Sequence, residues 1–143
     1  MIDRDVVFRK LSSLREQVAR MGRRRPDDVG VFRADVDRQD AIGMSLLVAV
    51  QDALDIALHI ESAEGWGVPA SYAESFAMLA EHGVIEPPLA SGLANMAALR
   101  NRLAHGYGSV DMDRIWAELP EGLAALSSFA SEIARYLDPA PKA

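Results

Sequence analysis

The sequence predicts an all-α protein, a bundle of four long helices with one or two short ones. Three observations carry that reading. No sustained period-2 run rich in β-branched and aromatic residues occurs, and threonine is absent altogether. Apolar residues recur instead at spacings of three and four over long segments. Half of the 143 residues are hydrophobic and a quarter are charged, the balance of a folded chain with a real core. At this length the expectation is a single domain over residues 1–143, with its core at about 3–137 and a flexible tail at 138–143.

The first helix is predicted over residues 3–24. Val6 or Val7, Leu11, Leu14, Val18 and Met21 form one apolar stripe, and Arg23, Arg24 and Arg25 precede the stop at Pro26. Residues 26–36 read as a loop. The longest helix follows, from about Asp37 to Glu64. Ile42, Leu46, Val50, Ala53, Ala57 and Ile60 cover one side, while Met44, Leu47, Val48, Leu54 and Leu58 cover another. A helix apolar on two sides belongs at the centre of a bundle or in a dimer. Gly65 closes it.

Ser71 and Glu74 have capping-box spacing and start a third helix, with Phe76, Leu79 and Ala80 inward and Gly83 as its end. Pro87 and Pro88 open a fourth, since proline is tolerated in the first turn, and Gly106 and Gly108 stop it. Leu89, Leu93, Met96, Ala97, Leu99 and Leu103 face inward. Asp111 is expected to cap a short turn carrying Ile115 and Trp116. A separate last helix follows Pro120, from about Glu121 to Leu137, with Leu123, Leu126, Phe129, Ile133 and Tyr136 inward. Trp66, Tyr72, Phe76 and Trp116 are assigned to the core, as are Met44, Met78 and Met96.

Composition excludes several function classes. There is no cysteine, so disulfides, iron–sulfur clusters, thiolate zinc sites and cysteine nucleophiles are absent. His59, His82 and His105 are far apart, and no glycine-rich phosphate loop occurs, so neither a metal nor a cofactor is expected. The longest stretch free of charge, Pro87–Leu99, has 13 residues and two prolines, whereas a membrane span needs about 20. The N-terminal residues lack the order of a signal peptide, and a cytoplasmic protein without a membrane partner is expected. Net charge is −6, divided between +5 over residues 1–25 and −11 over the remainder. A basic first helix on an acidic body can bind a polyanion or another subunit, or can simply be solvated.

One segment is dense in chemistry: Leu99-Arg100-Asn101-Arg102-Leu103-Ala104-His105-Gly106-Tyr107. Arginine offers a permanently charged fork for a phosphate, histidine moves protons near neutral pH, and tyrosine adds a hydroxyl. Five residues on an ideal helix turn by about 140°, so Arg100 and His105 do not share a face while both are helical. Either the helix ends before His105, or a second subunit completes the site.

The Arg100-x4-His105-x-Tyr107 pattern, with Asn101 after the arginine, resembles the motif of HEPN-domain proteins, and within these the HepT-like ribonuclease toxins. Asp52-Ala-Leu-Asp-Ile-Ala-Leu-His-Ile60 is similar to that family's second-helix signature. Pro69 to Phe76, Leu79, Gly83-Val-Ile85 and Met96 to Asn101 follow in the family's order, so the resemblance covers roughly residues 35–137. It implies a HEPN-type four-helix up-and-down bundle and a metal-independent endoribonuclease whose dimer brings two motifs to one cleft. His105 would be the general acid or base for attack by the ribose 2′-hydroxyl. Arg100 would hold the phosphate, and Asn101 would orient the substrate or the catalytic side chains. The implied partners are an RNA substrate, a second copy of the chain in a homodimer or higher oligomer, and an MNT-type nucleotidyltransferase antitoxin that silences the toxin by transferring AMP to Tyr107. Gly106 stands where the family usually has a larger residue, which points to a loosely held tyrosine.

Other polar residues have weaker claims. Asp52, Asp55 and His59 make one stripe, either contributing to the cleft or dimer axis or solvated with an internal Asp55–His59 pair. Arg23, Arg24, Arg25 and Arg102 are candidate RNA contacts, with a solvated face or an internal acid as the alternative. His82 is expected to be only a C-terminal cation of the third helix. The alternative to an enzyme is a non-catalytic HEPN module that binds a nucleotide or the partner, in which His105 would be dispensable.

Overall fold

The computed structural model describes residues 1–138. Helix α1 (Arg4–Arg24) starts at Asp3, whose side chain accepts from the Val6 N–H, and buries Val7, Leu11, Leu14 and Met21. It packs chiefly along α3 (Val36–Glu64), the central helix, which α4 (Tyr72–Glu81), α5 (Pro87–Gly106) and α6 (Met112–Leu137) also contact. No strand occurs among the described residues, and the expected all-α bundle of four long helices with two short ones forms. One cluster of buried side chains from all six α-helices forms the core, with Phe76 and Phe129 meeting edge to face at 6.0 Å.

Chain-terminating devices read from the sequence fold as their chemistry requires. Gly65 adopts φ +73°, its N–H reaching Ser62 and that of Trp66 reaching Glu61; Gly83 adopts φ +75°, with Gly83 bonding Ala80 and Val84 bonding Leu79. Both are left-handed closures in which glycine meets no Cβ penalty. Ser71 accepts from the Glu74 N–H, while the Glu74 carboxylate accepts from Ala70, one residue ahead of the cap. His82 does more than supply a terminal cation, because its ring stacks on Trp66 at 3.8 Å.

Several expectations need correction. The segment 26–36 is not all loop, since α2 (Val29–Ala34) forms there under an Asp28 cap and buries Phe32. The predicted short turn and last helix are one continuous α6, capped by Asp111 and running through Pro120. Proline at 120 has no N–H for the carbonyl of Trp116 one turn earlier. Arg25 supplies it: Nε donates to that carbonyl at 2.9 Å, and the guanidinium lies 4.1 Å over the Trp116 ring. Trp116 Nε1 in turn donates to the Pro26 carbonyl at 2.7 Å. Residues 139–143 of the expected tail lie outside the described residues, and Asp138 closes α6 by bonding Ala134.

The central helix also departs from expectation. Its first apolar side is buried from Ile42 to Ile60, but on the second side Met44 is 62% exposed and Leu58 39%. Met44 is therefore not a core residue. Trp66, Tyr72 and Trp116 are half-buried at the margin of the core, and Met78 is half-buried as well. Helix α3 is long and apolar enough to cross a membrane, but most of its apolar stretch is buried inside the bundle, as in the core helix of a globular fold. At its far end the fully buried Glu61 accepts from Ser75 Oγ at 2.7 Å, and burial pushes its carboxyl up to about 7.

Candidate functional site

The motif lies where the C-terminus of α5, a single 3₁₀ turn at Tyr107–Ser109 and the start of α6 meet. Arg25 on Trp116 and the Arg33–Asp113 pair (2.8 and 2.7 Å) bring the end of α1 and all of α2 to this same end of the bundle. The N-terminal half of α3 completes it.

Helix α5 continues through Gly106, so His105 is helical and the first of the two expected geometries does not occur. Arg100 points to α3, where its Nη2 donates to Gln51 Oε1 at 3.1 Å, and its buried Nε has no partner. His105 is exposed on another side, in a cleft of about 520 Å³ lined also by Asn101, Arg102, Ser109, Asp111 and Arg114. Asn101 belongs to both sides. Its Oδ1 accepts from Arg100 Nη1 at 3.2 Å, and the residue lines the His105 cleft.

Tyr107 is not loose. Its hydroxyl donates to Asp40, and its ring lies over Gly43, where even a Cβ would come within 3.5 Å of the ring edge. Burial, then the bond to the Asp40 carboxylate and its charge, push the phenol up to about 12. The small residue at 106 has a local reason. Ser109 Oγ donates to the Gly106 carbonyl at 2.8 Å, and a Cβ at 106 would stand 2.9 Å from that oxygen.

The stripe Asp52, Asp55 and His59 faces α1. Lys10 Nζ binds Asp55 Oδ2 at 2.9 Å and lies 4.0 Å from Asp52, whose pKa burial raises. The Lys10 ammonium is held above its usual range mainly by the hydrogen bond to Asp55. His59 Nε2 accepts from the Asp3 N–H at 2.9 Å. Among the described residues no Asp55–His59 pair forms; Asp52 is buried, while Asp55 and His59 are half-buried.

Of the four candidate RNA contacts, Arg25 is engaged by Trp116 through its Nε bond and its stacked guanidinium. Arg23 and Arg24 are exposed at the site end, and the Arg24 carbonyl accepts from Arg38. Arg102 borders the cleft, joined by Arg114, which pairs with Glu118 at 3.0 Å. Among the described residues no three histidine, aspartate or glutamate side chains gather as a metal site would require. Sequence reasoning missed Asp40, Gln51, Lys10 and Arg114. Gln51 and Arg114 carried a local signal, each standing four residues before an acid on one helix face, Asp55 and Glu118.

Comparison with known proteins bears on this arrangement. The profile of the "HepT-like: Ribonuclease HepT-like" family matches residues 3–133. An mRNA nuclease HepT of Shewanella oneidensis is 29% identical over 109 residues, covering 76% of this chain and 81% of that protein. A tRNA nuclease HepT of Aphanizomenon flos-aquae is 30% identical over 92 residues, covering 64% and 63%. Among solved structures, the tri-AMPylated Shewanella oneidensis HEPN toxin in complex with MNT antitoxin superposes with a TM-score of 0.84 at 26% identity, covering 92% of this chain and 98% of that one. The match runs from the cap of α1 into α6 and takes in the whole Arg100–Tyr107 segment; this chain belongs to the HepT-like ribonuclease family.

Proposed function

We propose that this chain is a metal-independent endoribonuclease, the toxin of a pair whose antitoxin is an MNT-type nucleotidyltransferase. The observation that carries this reading is the double engagement of Asn101, which bonds Arg100 on one side and lines the His105 cleft on the other. Arg100 has donors left for a phosphate, and a scissile phosphate drawn to it beside Asn101 would stand between a fixed cation and a titratable imidazole. His105 takes the proton of the ribose 2′-hydroxyl as that oxygen attacks phosphorus, or returns a proton to the departing 5′-oxygen. The products are a 2′,3′-cyclic phosphate and a 5′-hydroxyl end. Arg100 neutralises the charge that builds on the phosphoryl oxygens. Arg102 and Arg114 flank the cleft, and Arg23 and Arg24 add positive charge at the same end of the bundle.

A second copy of the chain belongs to this proposal. Asp40, Met44, Leu47, Gln51 and Leu58 fall on one line of α3 at helical spacing, and Met44 and Leu58 are exposed on it. Tyr107 and Arg100 touch this same line, so a protomer seated there sets its own motif beside them. An adenylyl group on Tyr107 would place a phosphate where RNA must approach, which accounts for silencing by the partner.

The test is RNA cleavage in EDTA by protein whose intact mass shows no adduct on Tyr107, with tRNA and mRNA as substrates and His105→Ala as control. Cleavage by the wild type and none by the variant supports the reading. Equal cleavage by both points to a contaminant. Inert, folded, unmodified protein returns the chain to the binding-module alternative.

A further inference from the structure

A chain of polar contacts runs from α1 along one face of α3 to Arg100. Lys10 Nζ on α1 binds Asp55 Oδ2 at 2.9 Å, and Gln51 Nε2 donates to Asp55 Oδ1 at 2.9 Å. Gln51 Oε1 then accepts from Arg100 Nη2 at 3.1 Å. The direction of the amide follows from its neighbours. A carboxylate can only accept and a guanidinium can only donate, so Gln51 must turn its NH₂ to Asp55 and its oxygen to Arg100.

We infer that Gln51 is the positioning residue that fixes the Arg100 guanidinium for phosphate binding, and that Asp55 and Lys10 hold Gln51 in turn; the inference rests on the ribonuclease reading above. The chemistry favours an amide at this place over a carboxylate. Arginine has several rotatable bonds, and ordering it when the phosphate arrives costs free energy that a preset geometry avoids. A carboxylate beside Arg100 would order it equally well but cancel the charge the phosphate needs. A neutral oxygen orients the guanidinium and leaves its charge whole. The negative charge of the network sits one residue further back, on Asp55, where Lys10 balances it. Asn101 takes the other terminal nitrogen of Arg100 at 3.2 Å, so two neutral oxygens aim the fork from two helices.

The experiment is single-turnover cleavage of one defined RNA by unmodified wild type, Gln51→Ala, Arg100→Ala and the double variant, with circular dichroism melting of each. Gln51→Ala is expected to lower the single-turnover rate constant at saturating enzyme roughly ten- to hundredfold, with a smaller change in the half-saturating enzyme concentration. In the Arg100→Ala background it should have no further effect, because the residue it serves is gone. Gln51→Glu keeps an oxygen for Arg100 but sets a second carboxylate against Asp55, so it should be slow as well and melt below the wild type. A wild-type rate in Gln51→Ala, or losses that multiply in the double variant, overturns the inference while leaving the ribonuclease reading intact. A wild type that cuts no RNA overturns both.

Discussion

The hydroxyl of Tyr107 donates to the carboxylate of Asp40, 67 positions earlier in the chain, and the bond lays the tyrosine ring across Gly43 on α3. The phenol is held in its neutral form, with its pKa pushed up to about 12. An Asp40→Asn variant removes the charge and weakens the hydrogen bond but keeps the burial, which is the larger cause. Its phenol should titrate between the ordinary value of about 10 and the wild-type value. Labelled-tyrosine NMR across that range reads the shift directly, and an unchanged titration would dissolve the contact. The sign of the linked stability is fixed. The folded chain keeps this proton where the unfolded chain loses it, so the contribution is whole below about pH 10 and fades as pH rises toward 12.

Arg25 and Pro120 should be coupled. Arg25→Ala strips the Trp116 carbonyl of its donor and is expected to cost roughly 2 kcal/mol in urea unfolding. In a Pro120→Ala background the helix supplies its own N–H to that carbonyl, and the cost of Arg25→Ala should fall to the stacking contribution alone, about 1 kcal/mol. Additive losses in the four-corner cycle would show that the two residues act separately.

Glu61 makes the bundle sensitive to mild pH. Its pKa is pushed up to about 7 from an ordinary 4.5, chiefly by burial. Between those values the folded chain binds the proton more tightly than the unfolded one, so stability is greatest below about pH 4.5 for this group and falls as pH rises through 7. Glu61→Gln keeps the bond from Ser75 and never ionises. It should match or trail the wild type in thermal melts at pH 5 and exceed it at pH 8, by on the order of 2 kcal/mol. A variant that shows no crossover would place the charged form of Glu61 in a better-solvated setting than the structure describes.

The exposed line on α3 gives a prediction about association. Met44→Glu and Leu58→Glu replace side chains that are 62% and 39% exposed, so each should leave the melting of a monomer within about 0.5 kcal/mol of wild type. Light scattering after size exclusion should show a dimer for the wild type and monomers for the variants. Variants as dimeric as the wild type would remove α3 from the interface.

The helices were legible because their information is local. Apolar spacing, Ser71 and Asp111 as caps, and Gly65 and Gly83 as closures all act within a turn of where they stand. The continuity of α6 was not legible, because the donor that rescues the Trp116 carbonyl comes from Arg25, 91 positions away. The Arg100–Tyr107 segment stood out by residue type alone, yet its partners Gln51 and Asp40 lie 49 and 67 positions off and look like ordinary surface residues in the sequence. The two apolar sides of α3 were visible, but which one the chain buries depends on where α1, α4, α5 and α6 lie.

Helix α5 runs antiparallel to α3, and two contacts mark their register: Arg100 sits on Gln51, and Tyr107 sits on Gly43. Arg100 and Tyr107 are seven positions apart, Tyr107 standing in the 3₁₀ turn just past the end of α5, and Gly43 and Gln51 are eight apart on α3, about two helical turns in each case. The spacing from arginine to tyrosine is therefore a ruler cut to the pitch of the neighbouring helix. Inserting or deleting a single residue between Arg100 and Tyr107 would turn one of them about 100° away from its seat while the other stayed in place. Point substitutions can erode this region by degrees, but changes of length should leave it either in phase or out of it.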